Sequence, residues 1–169
     1  PSYPKYYRQS EKKLARENRK LSKMKKGSNN FAKQKLKLAK IYAKVKNQRK
    51  DFLHKESKRL ADIYNVICIE NLNMKAMSQM LNFGKSVSDN GWGMFTSFLA
   101  YKLKDQGKKL LKVNRFFASS QTCNVCGYKN ALVKNLAVRE WVCPACNTIH
   151  DRDMNAAINI KYEGMKQLA

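Results

Sequence analysis

A mixed α/β fold is predicted: long basic helices, two parallel strands with a helix between them, an inserted cysteine module and a closing helix. Three observations carry this. A Lys-rich stretch ending near Ile63 repeats its apolar residues at helical spacing. Two apolar runs, NVICI (65–69) and KLLKVNRFF (109–117), read as strands on either side of the helical stripe Trp92, Phe95, Leu99 and Leu103. Finally, two C-x-x-C pairs stand together between the second strand and the last helix.

The basic segment divides in two. One helix runs from about Arg8 to Met24 and stops at KKGSNN, where Gly27, Ser28 and two Asn supply turn chemistry. A second runs from about Asn30 to Ile63, with Leu38, Ile41, Tyr42, Val45, Phe52, Leu53, Leu60 and Ile63 as its apolar stripe. Lys35, Lys37, Lys40, Lys44, Lys46, Arg49 and Lys50 crowd the rest of its circumference. A like-charged face opposes helix formation unless an anion lies against it, so this face reads as a nucleic-acid surface; a purely solvated face is the alternative. Residues 1–60 hold 21 of the 35 Lys and Arg and only 4 of the 12 acids, so they carry most of the +23 net charge.

That charge and a pI near 10 over 169 residues predict attraction to a polyanion, of which nucleic acid is the commonest. A ribosome-like protein and a membrane-surface protein share the property. No apolar run is long enough for a membrane span and no signal-peptide core is present, so the expected location is the cytoplasm, with the nucleoid. The first residue is Pro1 and not Met, which predicts a fragment or a processed product.

Strand, helix, strand in that order predicts a right-handed crossover with the two strands parallel. The stretch 73–91, rich in Met, Ser, Asn and Gly, separates the first strand from the helix, which ends at Gly107. Its Met74, Met77 and Met80 read as a lid or as core filler. Trp92 and Trp141 lie in apolar patterns and read as core. His54 and His150 have no evident partner and read as surface histidines.

Four of the five cysteines form CNVC and CPAC, Cys123/Cys126 and Cys143/Cys146, sixteen residues apart. Each C-x-x-C turn presents two thiolates to one ion, and four soft ligands in a tetrahedron suit Zn²⁺, with no open position for chemistry. Gly127 and Asn147 follow the pairs and tolerate the left-handed backbone that such knuckles use. REWV (139–142) leads into the second pair as a short strand. Cys68 stands alone in the first strand and reads as a buried small hydrophobe.

Two carboxylates stand out in a chain poor in acids. Glu70 ends the first strand, and Asp153 lies in the first turn of a helix from about Asp151 to Met165 that Asp151 is placed to cap. Ala156, Ala157 and Ile160 follow Asp153 at i+3, i+4 and i+7, so Asp153 heads the face predicted to pack on the sheet, and the alanines permit close approach. An Asp there is otherwise a favourable dipole partner. Arg152 reads as a phosphate contact or as a balance for its acidic neighbours. Ser119, Ser120 and Gln121 read as nucleic-acid contacts or as residues shaping the turn into the first knuckle.

ICIENLNMKAM, SSQTCNVCG and DRDMNAAINI resemble the C-terminal half of the TnpB-type (OrfB) insertion-sequence proteins, relatives of the compact type V CRISPR effectors. GSNN…KNQRKDFLHK and DNGWG…LAYKLKDQGKKLLKVNRFFASSQTC are also similar to that family, so the resemblance covers essentially the whole chain. It implies a partial RuvC/RNase H-like fold with an inserted zinc ribbon. Residues 1–118 would be the partial nuclease domain with its basic helices, 119–150 the ribbon and 151–169 the closing helix. It further implies an RNA-guided DNA endonuclease of transposons, called a transposase, with DNA and guide RNA as partners. Glu70 and Asp153 would be the second and third acids binding catalytic Mg²⁺, with Asp151 the alternative to Asp153. Lys35, Lys37, Lys44, Arg49, Lys50 and Arg152 are the expected nucleic-acid contacts.

The family's first acid is an Asp on an early strand. The candidates upstream of Tyr64, Asp51 and Asp62, both fall within the predicted long helix. Two-metal cleavage needs carboxylates to hold two cations about 4 Å apart, so the chain alone is expected to be inactive. The second reading is a stand-alone zinc-ribbon nucleic-acid-binding module, and the third a ribosome-associated ribbon protein, which needs neither Glu70 nor Asp153.

Overall fold

A computed structural model describes residues 3–74 and 91–168. It resolves into two compact units, residues 1–63 with 74–102, and residues 64–73 with 103–169. Met77 and Met80 of the methionine group lie outside the described residues; Met74 is half-buried.

The first unit is built on two helices, α1 (Tyr6–Ser22) and α2 (Asn29–Ile63). They meet at the KKGSNN turn. Gly27 takes φ 84°, and the Ser28 hydroxyl accepts from the Phe31 N–H at 3.1 Å, capping α2. Leu14 of α1 and Leu38, Val45, Leu53, Ser57 and Ala61 of α2 are buried. The stripe differs from the predicted one at its margins: Tyr42 and Ile63 are exposed, while Gln34, Ser57 and Ala61 are buried. The reason is local, because α1 reaches Gln34 through Glu17. That glutamate is fully buried and accepts from the Gln34 amide at 2.9 Å. Lys37, Arg16 and Lys20 stand at 3.2, 3.3 and 3.7 Å from its carboxylate.

Helix α3 (Trp92–Asp105) begins after Gly91, whose φ is 65° and where a Cβ would stand 2.9 Å from Leu53 Cδ1. Phe98 stacks on His54, ring centroids 3.8 Å apart, and the Lys102 ammonium donates to the His54 carbonyl at 2.6 Å. His54 is therefore half-buried and partnered, contrary to the surface reading: its helix turns the ring onto α3. Trp92 is half-buried beside Phe95.

The second unit holds strands β1 (Val66–Glu70) and β2 (Lys109–Val113), paired parallel with Glu70 opposite Val113. Strand β2 stops well before Phe117. Asn114 breaks it by taking the Phe116 N–H on its side chain and the Phe117 N–H on its carbonyl, at 2.9 and 3.0 Å. Strands β3 (Glu140–Val142) and β4 (Ile149–Asp151) form an antiparallel ribbon that places Trp141 opposite His150. A short 3₁₀ turn at Ala131–Lys134, capped by Asn130, lies between the knuckles.

Helix α4 (Arg152–Met165) starts at Asp151, whose carboxylate accepts from the Met154 N–H at 2.7 Å, as predicted. Its buried residues are Asn155, Asn159 and Gly164, whereas Ala157 is exposed. Close approach to the sheet comes from Gly164 and not from the alanines: a Cβ there would lie 2.5 Å from Cys68 Sγ and 3.7 Å from Val113 Cγ2. Cys68 is half-buried under this helix, and burial pushes its thiol pKa up.

Candidate metal centre and carboxylate site

The two knuckles are near copies. The Gly127 N–H donates to the Cys123 carbonyl and the Asn147 N–H to the Cys143 carbonyl, each at 2.9 Å, with Gly127 at φ 78° and Asn147 at φ 58°. The Cys123 N–H reaches the Tyr128 carbonyl and the Cys143 N–H the Thr148 carbonyl. These turns bring Cys123, Cys126, Cys143 and Cys146 together with all four sulfurs within 4.8 Å of one another. The Cys123–Cys146 and Cys126–Cys143 separations are 3.7 and 3.5 Å. Four thiolates around an ion with bonds of about 2.3 Å would lie about 3.8 Å apart, so the cluster fits a tetrahedral metal. The Tyr128 backbone N–H favours the Cys126 thiolate, yet desolvation and the neighbouring sulfurs push that thiol up to about 12. Hydrogen bonds from Thr148 hold Cys146 down to about 6.

His150 was expected at the surface and is instead buried, with Nε2 3.1 Å from Cys123 Sγ and its ring 4.7 Å from that of Trp141. Strand alternation in β4 turns Ile149 and Asp151 out and His150 in, a signal present in IHD but masked by the shortness of the run. The buried core of the ribbon is Cys123, Val133, Trp141 and Cys143.

Glu70 ends β1, half-buried, and the buried Ser119 hydroxyl donates to its Oε1 at 2.6 Å. Ser119 is held in turn: the Asn159 amide donates to the Ser119 carbonyl at 2.8 Å and to the Thr122 carbonyl at 2.6 Å. Asn155 adds a bond to the Thr122 carbonyl and accepts from the Asn124 N–H, at 2.8 and 3.0 Å. Two asparagines one helical turn apart thus clamp the approach to the first knuckle onto α4, and that approach holds Glu70. Neither asparagine was singled out in sequence; their i, i+4 spacing on one helix face is the signal for them.

Asp153 lies exposed in the first turn of α4, its carboxylate 3.5 Å from the Arg139 guanidinium just before β3. Glu70 and Asp153 both lie in the second unit, but neither joins a group of three or more ligating residues among the described residues. Asp51 and Asp62 do lie in α2, paired with Lys55 and Lys58. Lys35, Lys44 and Lys50 are exposed on α2. Lys37 is shared with Glu17, and the half-buried Arg49 runs its aliphatic stem past Gly91. Arg152 is half-buried, with Nη1 3.4 Å from the Leu136 carbonyl of the ribbon.

Two family models match the chain, one described as "Probable transposase" (OrfB) over residues 2–81, the other as "Cas12f1-like, TNB domain" over residues 92–160. The chain is similar to OrfB/TnpB-type proteins over most of its length. Among OrfB/TnpB relatives, a Streptomyces pristinaespiralis protein provisionally named an RNA-guided DNA endonuclease is 37% identical over 162 residues. That alignment takes in 96% of this chain and 40% of the relative. Escherichia coli K12 InsQ, of the same provisional name, is 32% identical over 96% of this chain and 44% of its own length. The chain therefore spans less than half the length of either. The fold is shared with Cas12f1 in a complex with sgRNA and target DNA, at TM-score 0.60 and 23% identity over 89% of this chain and 40% of that one.

Proposed function

We propose that this chain carries part of the cleavage centre of an RNA-guided, metal-dependent DNA endonuclease. Residues 1–118 and 151–169 would contribute the RuvC-like domain, and 119–150 a zinc ribbon. The single observation that carries the reading is Glu70, a half-buried carboxylate at the carboxyl end of a parallel strand pair, oriented by Ser119 in an otherwise strongly basic chain. The names of the OrfB/TnpB relatives and the guide RNA and DNA bound by the structural neighbour support it.

Glu70 presents the oxygen not used by Ser119, and Asp153 offers a second carboxylate from the start of α4. Together they would hold Mg²⁺, with Asp153 exchanging its Arg139 partner for the cation. Magnesium in such a centre activates water and stabilises the departing oxygen of a phosphodiester. The remaining carboxylate, on the family resemblance, would be an Asp on an early strand, a place that Asp51 and Asp62 do not fill because both lie in α2. Cys123, Cys126, Cys143 and Cys146 would hold Zn²⁺ in a purely structural role. Exposed Lys35, Lys44 and Lys50, with Lys37, Arg49 and Arg152, would meet the phosphates of guide RNA and DNA, and the protein would then be found with the nucleoid.

The test is a chimera in which this chain replaces the matching part of the Streptomyces pristinaespiralis relative. Guide-dependent DNA cleavage is expected, and Glu70→Gln or Asp153→Asn should abolish it while guided binding persists. Cleavage retained in either variant would sink the assignment. A second reading, a binding module without cleavage, is favoured by the exposure of Asp153 and its existing Arg139 partner. It predicts a chimera that binds and never cuts.

A further inference from the structure

On the loop whose two ends are tied to Glu70, the second unit carries an aromatic ring that the reading above does not use. Phe116 is 82% exposed, more than any other large apolar residue among those described. A single exposed apolar side chain needs no explanation by itself. This one stands on a hydrogen-bonded turn and has a cation over its ring. The Asn114 side chain takes the Phe116 N–H, and the Asn114 carbonyl takes the Phe117 N–H. The Phe117 carbonyl then accepts from the Ser119 N–H at 2.8 Å. The Arg115 guanidinium lies 5.1 Å from the centre of the Phe116 ring.

The loop is tied to Glu70 at both ends. It leaves from Val113, the register partner of Glu70, and arrives at Ser119, whose hydroxyl holds the Glu70 carboxylate. Phe116 is the midpoint, three residues from each, so its Cα lies within about 10 Å of both. A planar apolar ring, a guanidinium able to stack or to meet a phosphate, and a carboxylate at the foot of the loop form a compact set. Unpaired bases stack on exposed aromatic rings whatever their sequence, and Arg adds a cation–π contribution. A paired base has both faces covered and gains nothing from the ring.

Resting on the proposed cleavage function, we infer that Phe116 and Arg115 form a stacking platform for an unpaired base of single-stranded DNA passing Glu70. The platform grips one nucleotide of the strand and so sets which phosphate reaches the carboxylate.

The test measures binding by the zinc-loaded chain, without magnesium and without cleavage, to one labelled sequence as single-stranded DNA, as DNA duplex and as single-stranded RNA. Phe116→Ala and Phe116→Leu should each weaken single-stranded DNA binding by about 5- to 150-fold at fixed salt, with the duplex unaffected. Phe116→Trp should keep wild-type affinity, and its added emission, beyond that of Trp92 and Trp141, should be quenched by the single strand. Wild-type binding by Phe116→Leu, or equal losses on single strand and duplex, would overturn the platform. Losses confined to RNA would overturn DNA as its ligand. The platform is read from magnesium-free binding by the Phe116 variants and the cleavage reading from cutting by the Glu70 and Asp153 chimeras, so failure of one and failure of the other give different results.

Discussion

Two aspartates two residues apart, Asp151 and Asp153, have separable jobs. The Asp151 carboxylate already caps α4 through the Met154 N–H, whereas Asp153 points at Arg139. Asn caps a helix about as well as Asp, so in the chimera Asp151→Asn should fold and cut while Asp153→Asn folds and does not; Asp151→Ala should cost about 1 kcal/mol in denaturant unfolding. The reverse pattern in a cleavage assay would show Asp151 to be the ligand. Ser119 is a positioning residue under the same reading. Ser119→Ala removes a hydroxyl donor from a half-buried carboxylate, a loss of about 1.5–3 kcal/mol for a bond to a charged group. Its signature should be a raised Mg²⁺ requirement for cleavage by the chimera, largely restored by Ser119→Thr; an unchanged magnesium titration would reduce Ser119 to a turn residue.

Helix contacts explain both the successes and the misses of reading the chain by pattern. The α2 stripe was legible where burial is apolar, at Leu38, Val45 and Leu53, because period alone marks those positions. It failed at Gln34, since a buried amide is predictable only from its partner Glu17, seventeen residues earlier. The same limit hid Asn155 and Asn159, and it let the alanines of α4 stand in for Gly164. Gly164→Val should force α4 away from Cys68 and Val113 and destabilise the second unit by about 1–3 kcal/mol, read from denaturant unfolding. In the α1–α2 hairpin, the Gln34 amide and Lys37 lower Glu17 from its ordinary 4.5 to about 2. A folded-state pKa below the unfolded one stabilises above the unfolded value and is lost as the pH falls through the folded value. Helix content should therefore fall from about pH 4.5 toward pH 2. Glu17→Gln should flatten that acid limb and release Lys37, and an unaltered acid limb would refute the linkage.

At the scale of the whole chain, the four-cysteine cluster was legible from its spacing, while the tertiary partners of its residues and of Glu70 were not. No spacing rule connects Glu70 to Ser119 or Cys123 to His150, because those pairs meet only through the tertiary fold. The chain should contain about one zinc per molecule, and a chelator should unfold the ribbon and lower its melting temperature. Metal-free protein with an unchanged melting curve would remove the zinc reading. Nucleic-acid affinity should fall linearly with salt on logarithmic axes if the α2 lysines meet phosphates, and a flat response would leave them solvated. The bond from Ser119 to Glu70 spans 49 residues, and the bond from Asn159 that steadies Ser119 spans a further 40. During synthesis Glu70 is therefore made long before the last residue that secures it. A truncated translation product ending ahead of Asn159 would have the glutamate in place but loosely held, so the order of synthesis itself delays a fully ordered carboxylate until the closing helix has been made.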